Sequence, residues 1–170
     1  MTLTVEDGTA VTGADAFISL ADAEALYLDR FGEAWSGTDV LKESAIRRAT
    51  RFVDSLDFVG SPVNGRSQPL AWPRKNAHDR DGEDIAKTEL PIEVERATGI
   101  LAFAELTTPG VLTPEIDRAG IVKRESVGPL EVEYAGNPGT ESWQRTTITA
   151  AMDILKPLIL SGNTRFLGRA

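Results

Sequence analysis

The chain has 170 residues, 41% of them hydrophobic and 26% charged, which is enough apolar side chain for one domain with its own core and too much for general disorder. It contains no cysteine, so disulfides, thiolate metal sites and cysteine nucleophiles are excluded. Its net charge of −8 argues against a general binder of nucleic acid, because affinity for phosphate comes from neutralising it.

The stretch Met1 to Asp15 shows no basic region followed by an apolar one, so no signal peptide is expected. The longest apolar stretches, Ile100–Leu106 and Ile154–Leu160, are too short for a membrane span and are interrupted by Glu105 and Lys156. Charge is uneven: net −6 over residues 1–37, +3 over 38–80, −6 over 81–120 and +1 over 121–170. Patches of opposite sign suit head-to-tail self-association, although any solvated surface shows such fluctuation.

In chain order, Leu3-Thr4-Val5 reads as a short strand that ends at the turn signal Asp7-Gly8. Ser19, with Asp22 three residues on, predicts the N-cap of a helix from about Leu20 to Phe31. Leu20, Ala23, Tyr27 and Phe31 form its apolar stripe, and Gly32 stops it. A second helix is predicted from the N-cap Thr38 to about Leu56, with Leu41, Ala45, Ala49, Phe52, Val53 and Leu56 on its apolar side. Lys42, Arg47, Arg48 and Arg51 occupy its other faces.

Residues 57–90 show no periodicity and are rich in Pro and Gly, which predicts a long irregular loop with an interface role. A third helix opens at Leu90-Pro91, with Pro91 at the first helical position. It is apolar over a wide arc through Ile92, Ala97, Ile100, Leu101, Phe103 and Ala104, so it should be buried on more than one side. Residues 121–134 alternate around Gly128-Pro129 as a β-hairpin, one strand basic at Lys123 and Arg124, the other acidic at Glu131 and Glu133. A last helix from about Glu141 to Leu160 carries Trp143, Ile148, Met152, Leu155 and Ile159, and Pro157 bends or ends it. The expected fold class is mainly α: a four-helix domain with a small β-hairpin over 1–162, and an extended C-terminal tail over 163–170.

Catalytic patterns are missing. No phosphate-binding loop, dinucleotide fingerprint or nucleophile elbow is present. The single histidine, His78, lies in the loop and reads as surface. The run His78 to Asp84 has its Gly82 too early for a calcium loop and Leu90 where the closing glutamate belongs, so it reads as a turn. No cofactor, no metal and no enzymatic activity are expected. Arg47, Arg48 and Arg51 could meet phosphate, but on an acidic chain they more naturally pair with the acidic first helix or a neighbouring subunit. Trp72 is either an interface anchor or a core aromatic holding the loop down. The tail Arg165, Phe166, Leu167 and Arg169 has the residue types of a docking peptide, or is a plain chain end.

Several stretches together carry a resemblance: Leu3 to Thr9 followed by Gly13 to Ala23; Ala49-Thr50-Arg51-Phe52-Val53-Asp54; Gln68-Pro69-Leu70-Ala71-Trp72-Pro73-Arg74 followed by Asp79-Arg80-Asp81-Gly82; and Val122 to Glu125 with Val127 to Tyr134. In this order they resemble a head–tail connector (adaptor) family of tailed bacteriophages, whose members often carry the label DnaT-like single-stranded-DNA-binding protein. The resemblance implies an adaptor-type four-helix bundle that assembles in the virion, from subunits made in the host cytoplasm, as a ring that is usually a dodecamer. Its partners would be copies of itself, the portal protein and a tail or neck completion protein, with non-specific DNA contact in the lumen at most and no membrane. The tail residues Arg165, Phe166, Leu167 and Arg169 would dock on the portal, and Arg47, Arg48, Arg51, Trp72, Arg74, Lys123 and Arg124 would lie at subunit interfaces. The label itself implies the alternative, a single-stranded-DNA-binding accessory protein.

Overall fold

A computed structural model describes residues 2–113, 124–127, 130–133 and 142–160, with backbone alone for 124–127, 130–133 and 142–146. It holds four α-helices: α1 (Leu20–Phe31), α2 (Asp39–Asp54), α3 (Ile92–Thr107) and α4 (Ser142–Leu155). Three antiparallel strand pairs accompany them: β1 (Ser61–Pro62) with β2 (Arg74–Lys75), β3 (Ala77–His78) with β4 (Asp84–Ile85), and β5 (Arg124–Val127) with β6 (Leu130–Glu133). The protein is mainly α, as its sequence predicts. No helix among the described residues is long and apolar enough to cross a membrane.

The helix ends follow local chemistry. The Ser19 hydroxyl accepts from the Asp22 amide, and Gly32, at φ 73°, donates its N–H to the Leu28 carbonyl. Only glycine takes that left-handed conformation without a Cβ penalty. Thr38 caps α2 by position without a side-chain hydrogen bond. Pro91 stands at the N-cap of α3, one place earlier than predicted. Pro157 ends α4: the α-helix stops at Leu155 and one 3-10 turn, Lys156–Leu158, follows.

α3 is the hub. Ten of its sixteen residues are buried, from Val94 to Glu105, because α2 and α4 pack on it and α1 adds a third contact. Gly99 permits the α1 approach, since a Cβ there would stand 2.6 Å from Leu26 Cδ2. The buried face of α2 is rotated from the predicted one: Lys42, Ala45, Ile46, Ala49, Thr50 and Val53 are buried, and Leu41 is 55% exposed. Lys42 explains the shift, because its long stem lies in the interface while its ammonium reaches Glu24.

Two further expectations change. The N-terminal strand is a single parallel bridge, Val5 to Ala16, and not a ladder. The stretch 57–90 is not irregular throughout. Leu70, Trp72, Arg74 and Ala77 are buried in the core, two short strand pairs and a 3-10 turn (Gly65–Ser67) organise it, and the Trp72–Pro73 peptide bond is cis. Of the predicted 121–134 hairpin, β5 and β6 are paired, with Arg124 opposite Glu133 and Ser126 opposite Glu131. Lys123 and the tail Arg165, Phe166, Leu167 and Arg169 lie outside the described residues.

Candidate functional site

The arginines of α2 are the strongest site candidate from the sequence, and two of the three are engaged inside the molecule. Arg47 Nε donates to Asp15 Oδ2 at 2.6 Å, and its guanidinium lies 3.8 Å from Glu43 one turn earlier on the helix. Asp15 also accepts from the Thr4 amide, so Arg47 ties α2 to the N-terminal segment. Arg48 Nε donates to Glu105 Oε1 at 2.7 Å and also reaches the Ser44 hydroxyl. Glu105 is 1% exposed and accepts the amides of Gly110 and Leu112 as well, which closes the turn after α3. Arg47 and Arg48 thus pair within the subunit, with the N-terminal segment, α2 itself and α3. It is Lys42 that bonds to α1, through Glu24, beneath the Trp35 ring. Arg51 is exposed and forms no ion pair among the described residues.

Trp72 and Arg74 both turn inward in the subunit. Trp72 has no exposed surface; it packs edge-on against Phe58, and its indole N–H has no hydrogen-bond partner among the described residues. Arg74 is 9% exposed, with its guanidinium turned inward on four backbone carbonyls: Val59 at 2.7 Å, Gly60 at 2.8 Å, Ala71 at 3.1 Å and Phe58 at 3.2 Å. Burial lowers its affinity for a proton. A planar fork of donors suits this set of oxygens, which a lysine could not span.

The His78–Asp84 run closes a tight hairpin between β3 and β4. Asp79 Oδ1 accepts the amides of Asp81 and Glu83, the Gly82 amide donates to the Asp79 carbonyl, and His78 Nδ1 lies 2.8 Å from Asp84. Among the described residues no group of three or more histidines and carboxylates is placed to hold a metal ion.

Two features escape sequence reasoning. Glu6 is 2% exposed and accepts the amides of Gly8, Ala10 and Val11, so its carboxylate organises the N-terminal turn. The corner between α1 and α2 carries four of the six large apolar side chains that are exposed among the described residues: Leu28, Phe31, Val40 and Leu41. Phe31 there caps a cluster of rings formed with Tyr27, Trp35 and Phe103. Phe31 in a predicted helix stripe was the available signal for the corner; for Glu6 the nearby Asp7-Gly8 turn was a weak one.

The chain belongs to the family described as "Putative DnaT-like ssDNA binding protein", whose match spans residues 1–170. No curated protein and no solved structure matches it.

Proposed function

We propose that this member of the DnaT-like family is an assembly subunit of a tailed-phage particle, a head–tail connector of adaptor type that joins copies of itself in a ring and docks on a portal. The observation that carries this reading is the state of its arginines. Arg47 and Arg48, which a phosphate-binding helix would present to solvent, are held by the chain's own Asp15, Glu43 and Glu105. What remains is an acidic chain of net charge −8. Such a surface repels phosphate and lets a duplex pass without gripping it. Contact with protein then falls to apolar surface, and the Leu28, Phe31, Val40 and Leu41 corner is the candidate for subunit contact. The segment with Arg165, Phe166, Leu167 and Arg169 serves as the portal-docking element, and Arg51, Lys123 and Arg124 remain as interface cations. The subunit works without cofactor or catalysis, at the head–tail junction of the virion, where a tail or neck completion protein follows it.

The test is negative-stain imaging and light scattering of the purified protein, alone and with portal protein. Rings, alone or seated on the portal, support the reading. A protein that stays monomeric beside the portal overturns it.

The family's description favours a second reading, single-stranded-DNA binding. That reading rests on Arg51 and whatever cations join it, and it requires oligonucleotide affinity that falls steeply with salt and is lost on Arg51→Glu. Fluorescence anisotropy with a labelled oligonucleotide at low salt separates the two. No binding there removes the second reading, and tight binding that Arg51→Glu abolishes replaces the first.

A further inference from the structure

Between the β3–β4 hairpin, the start of α3 and the Lys156–Leu158 turn runs an open groove. Its first part, about 340 Å³, is walled by Asp81, Glu83, Asp84, Glu89 and Glu93, with Ile92 and Leu158 as apolar floor. It shares Asp79, Arg80, Glu93 and Pro157 with a second part of about 620 Å³, which adds Asp153, Ile154 and Lys156. An apolar end at Met152 and Ile159 continues it. Seven carboxylates along this path face two cations, Arg80 and Lys156. Asp79 and Asp84 are occupied by the hairpin, while Asp81, Glu83, Glu89 and Asp153 stand exposed. Ile92, 48% exposed, lies among them.

The occupant this calls for is an extended segment with cations set apart by apolar side chains. The chain supplies one. Residues 161–170 contain two arginines, no acid, and the pair Phe166-Leu167 between Arg165 and Arg169. They begin one residue after Leu160, and Ile159 already lines the groove. Five residues from Leu160 to Arg165 reach at most about 17 Å when extended, so the segment can enter the groove of its own subunit. Intramolecular delivery adds a high effective concentration to modest contacts. We propose that residues Arg165–Arg169 occupy this groove in the free subunit, with Phe166 and Leu167 on the Ile92, Ile154 and Met152 floor and the arginines on the carboxylates. The inference does not depend on the ring: it concerns the subunit before any partner arrives, and a docking partner would have to draw the segment out.

The test uses the full chain and its Arg165→Glu/Arg169→Glu variant, each titrated with a labelled peptide of wild-type residues 161–170 and followed by fluorescence anisotropy. The variant, its groove emptied, binds the peptide at least tenfold more tightly than the wild-type chain does, and salt weakens that binding. Adding Glu93→Lys and Asp153→Lys to the variant abolishes it, with thermal unfolding monitored as a folding control. Equal affinity of wild-type chain and variant overturns the proposal, because the groove is then vacant in the free subunit. A variant that retains its unfolding transition and does not bind the peptide overturns it as well, because the groove then does not recognise the segment.

Discussion

Arg48 and Arg74 are both arginines that fasten one part of the chain to another, and they do so by different physics. Arg48 stands at the rim with its side chain 40% exposed and meets a buried carboxylate, Glu105. Arg74 lies inside and among the described residues meets no carboxylate, only the carbonyls of Phe58, Val59, Gly60 and Ala71. The first contact is an ion pair, sensitive to screening. The second exploits the shape of the guanidinium, five donors in a plane, and gathers four carbonyl oxygens of partly buried loop backbone onto one side chain. The difference teaches that a positive residue count says little about a positive surface: each of these cations is consumed by the fold.

The largest expected effect sharpens that contrast. Arg74→Met leaves four carbonyls without their donor and should cost about 3–5 kcal/mol, measured by urea unfolding; Arg74→Lys should restore only a small part. A cost below about 1 kcal/mol would sink the clamp. Next, Gly60→Ala attacks the same clamp through the backbone. Gly60 has φ 72°, and a Cβ there would stand 2.5 Å from the Lys75 carbonyl oxygen. A loss of about 2–3 kcal/mol is expected, with a lowered unfolding midpoint.

Arg48→Met should cost less, about 1–2 kcal/mol, because Glu105 keeps two amide donors and the arginine is partly solvated. Here salt is the discriminating variable. At 1 M NaCl the penalty of Arg48→Met should shrink, while that of Arg74→Met stays as it was. Equal responses would erase the distinction between charge and shape.

The smallest effect is one of pH. Asp54 at the end of α2 accepts from the Ala71 amide, and burial raises its pKa above the usual value of 3.8. Glu95 is raised as well, first by burial and then by Asp22. A carboxyl whose folded pKa lies above its unfolded one favours the folded state when protonated. The contribution is therefore present below the unfolded pKa and lost as pH rises through the folded one. Asp54→Asn should flatten part of this dependence and be neutral or slightly stabilising at pH 7, read from unfolding midpoints between pH 4 and pH 7.

The helices were legible because their signals are local. Ser19 with Asp22, Gly32, and the apolar arc of α3 act over one or two turns, and the structure places those ends there and buries Ala97, Ile100, Leu101, Phe103 and Ala104 of that arc, while Ile92 at its start is exposed. The face of α2 was misread by one position, since Lys42 counts as polar in any pattern and yet buries its stem. Residues 57–90 were opaque for a different reason. Arg74 finds its acceptors 14 to 16 residues back along the chain, with Ala71 the one near exception, and no spacing rule announces carbonyl partners. Glu105 was visible as an acid inside an apolar helix, but its link to Arg48, 57 residues away, is a property of packing alone. Of the candidate surfaces, the exposed corner at Leu28 to Leu41 went unread because it follows from which side of α1 and α2 the hub α3 covers.

The short pairing of residues 57–59 with 158–160 has a mechanical meaning. The Leu160 amide bonds to the Asp57 carbonyl at 2.8 Å, the Val59 amide to the Leu158 carbonyl at 2.9 Å, and Phe58 bridges Ile159 in antiparallel fashion. Phe58 and Val59 are also two of the residues gripped by Arg74. Tension applied beyond residue 160 thus loads the 57–59 segment, and through it the guanidinium clamp, as well as α4.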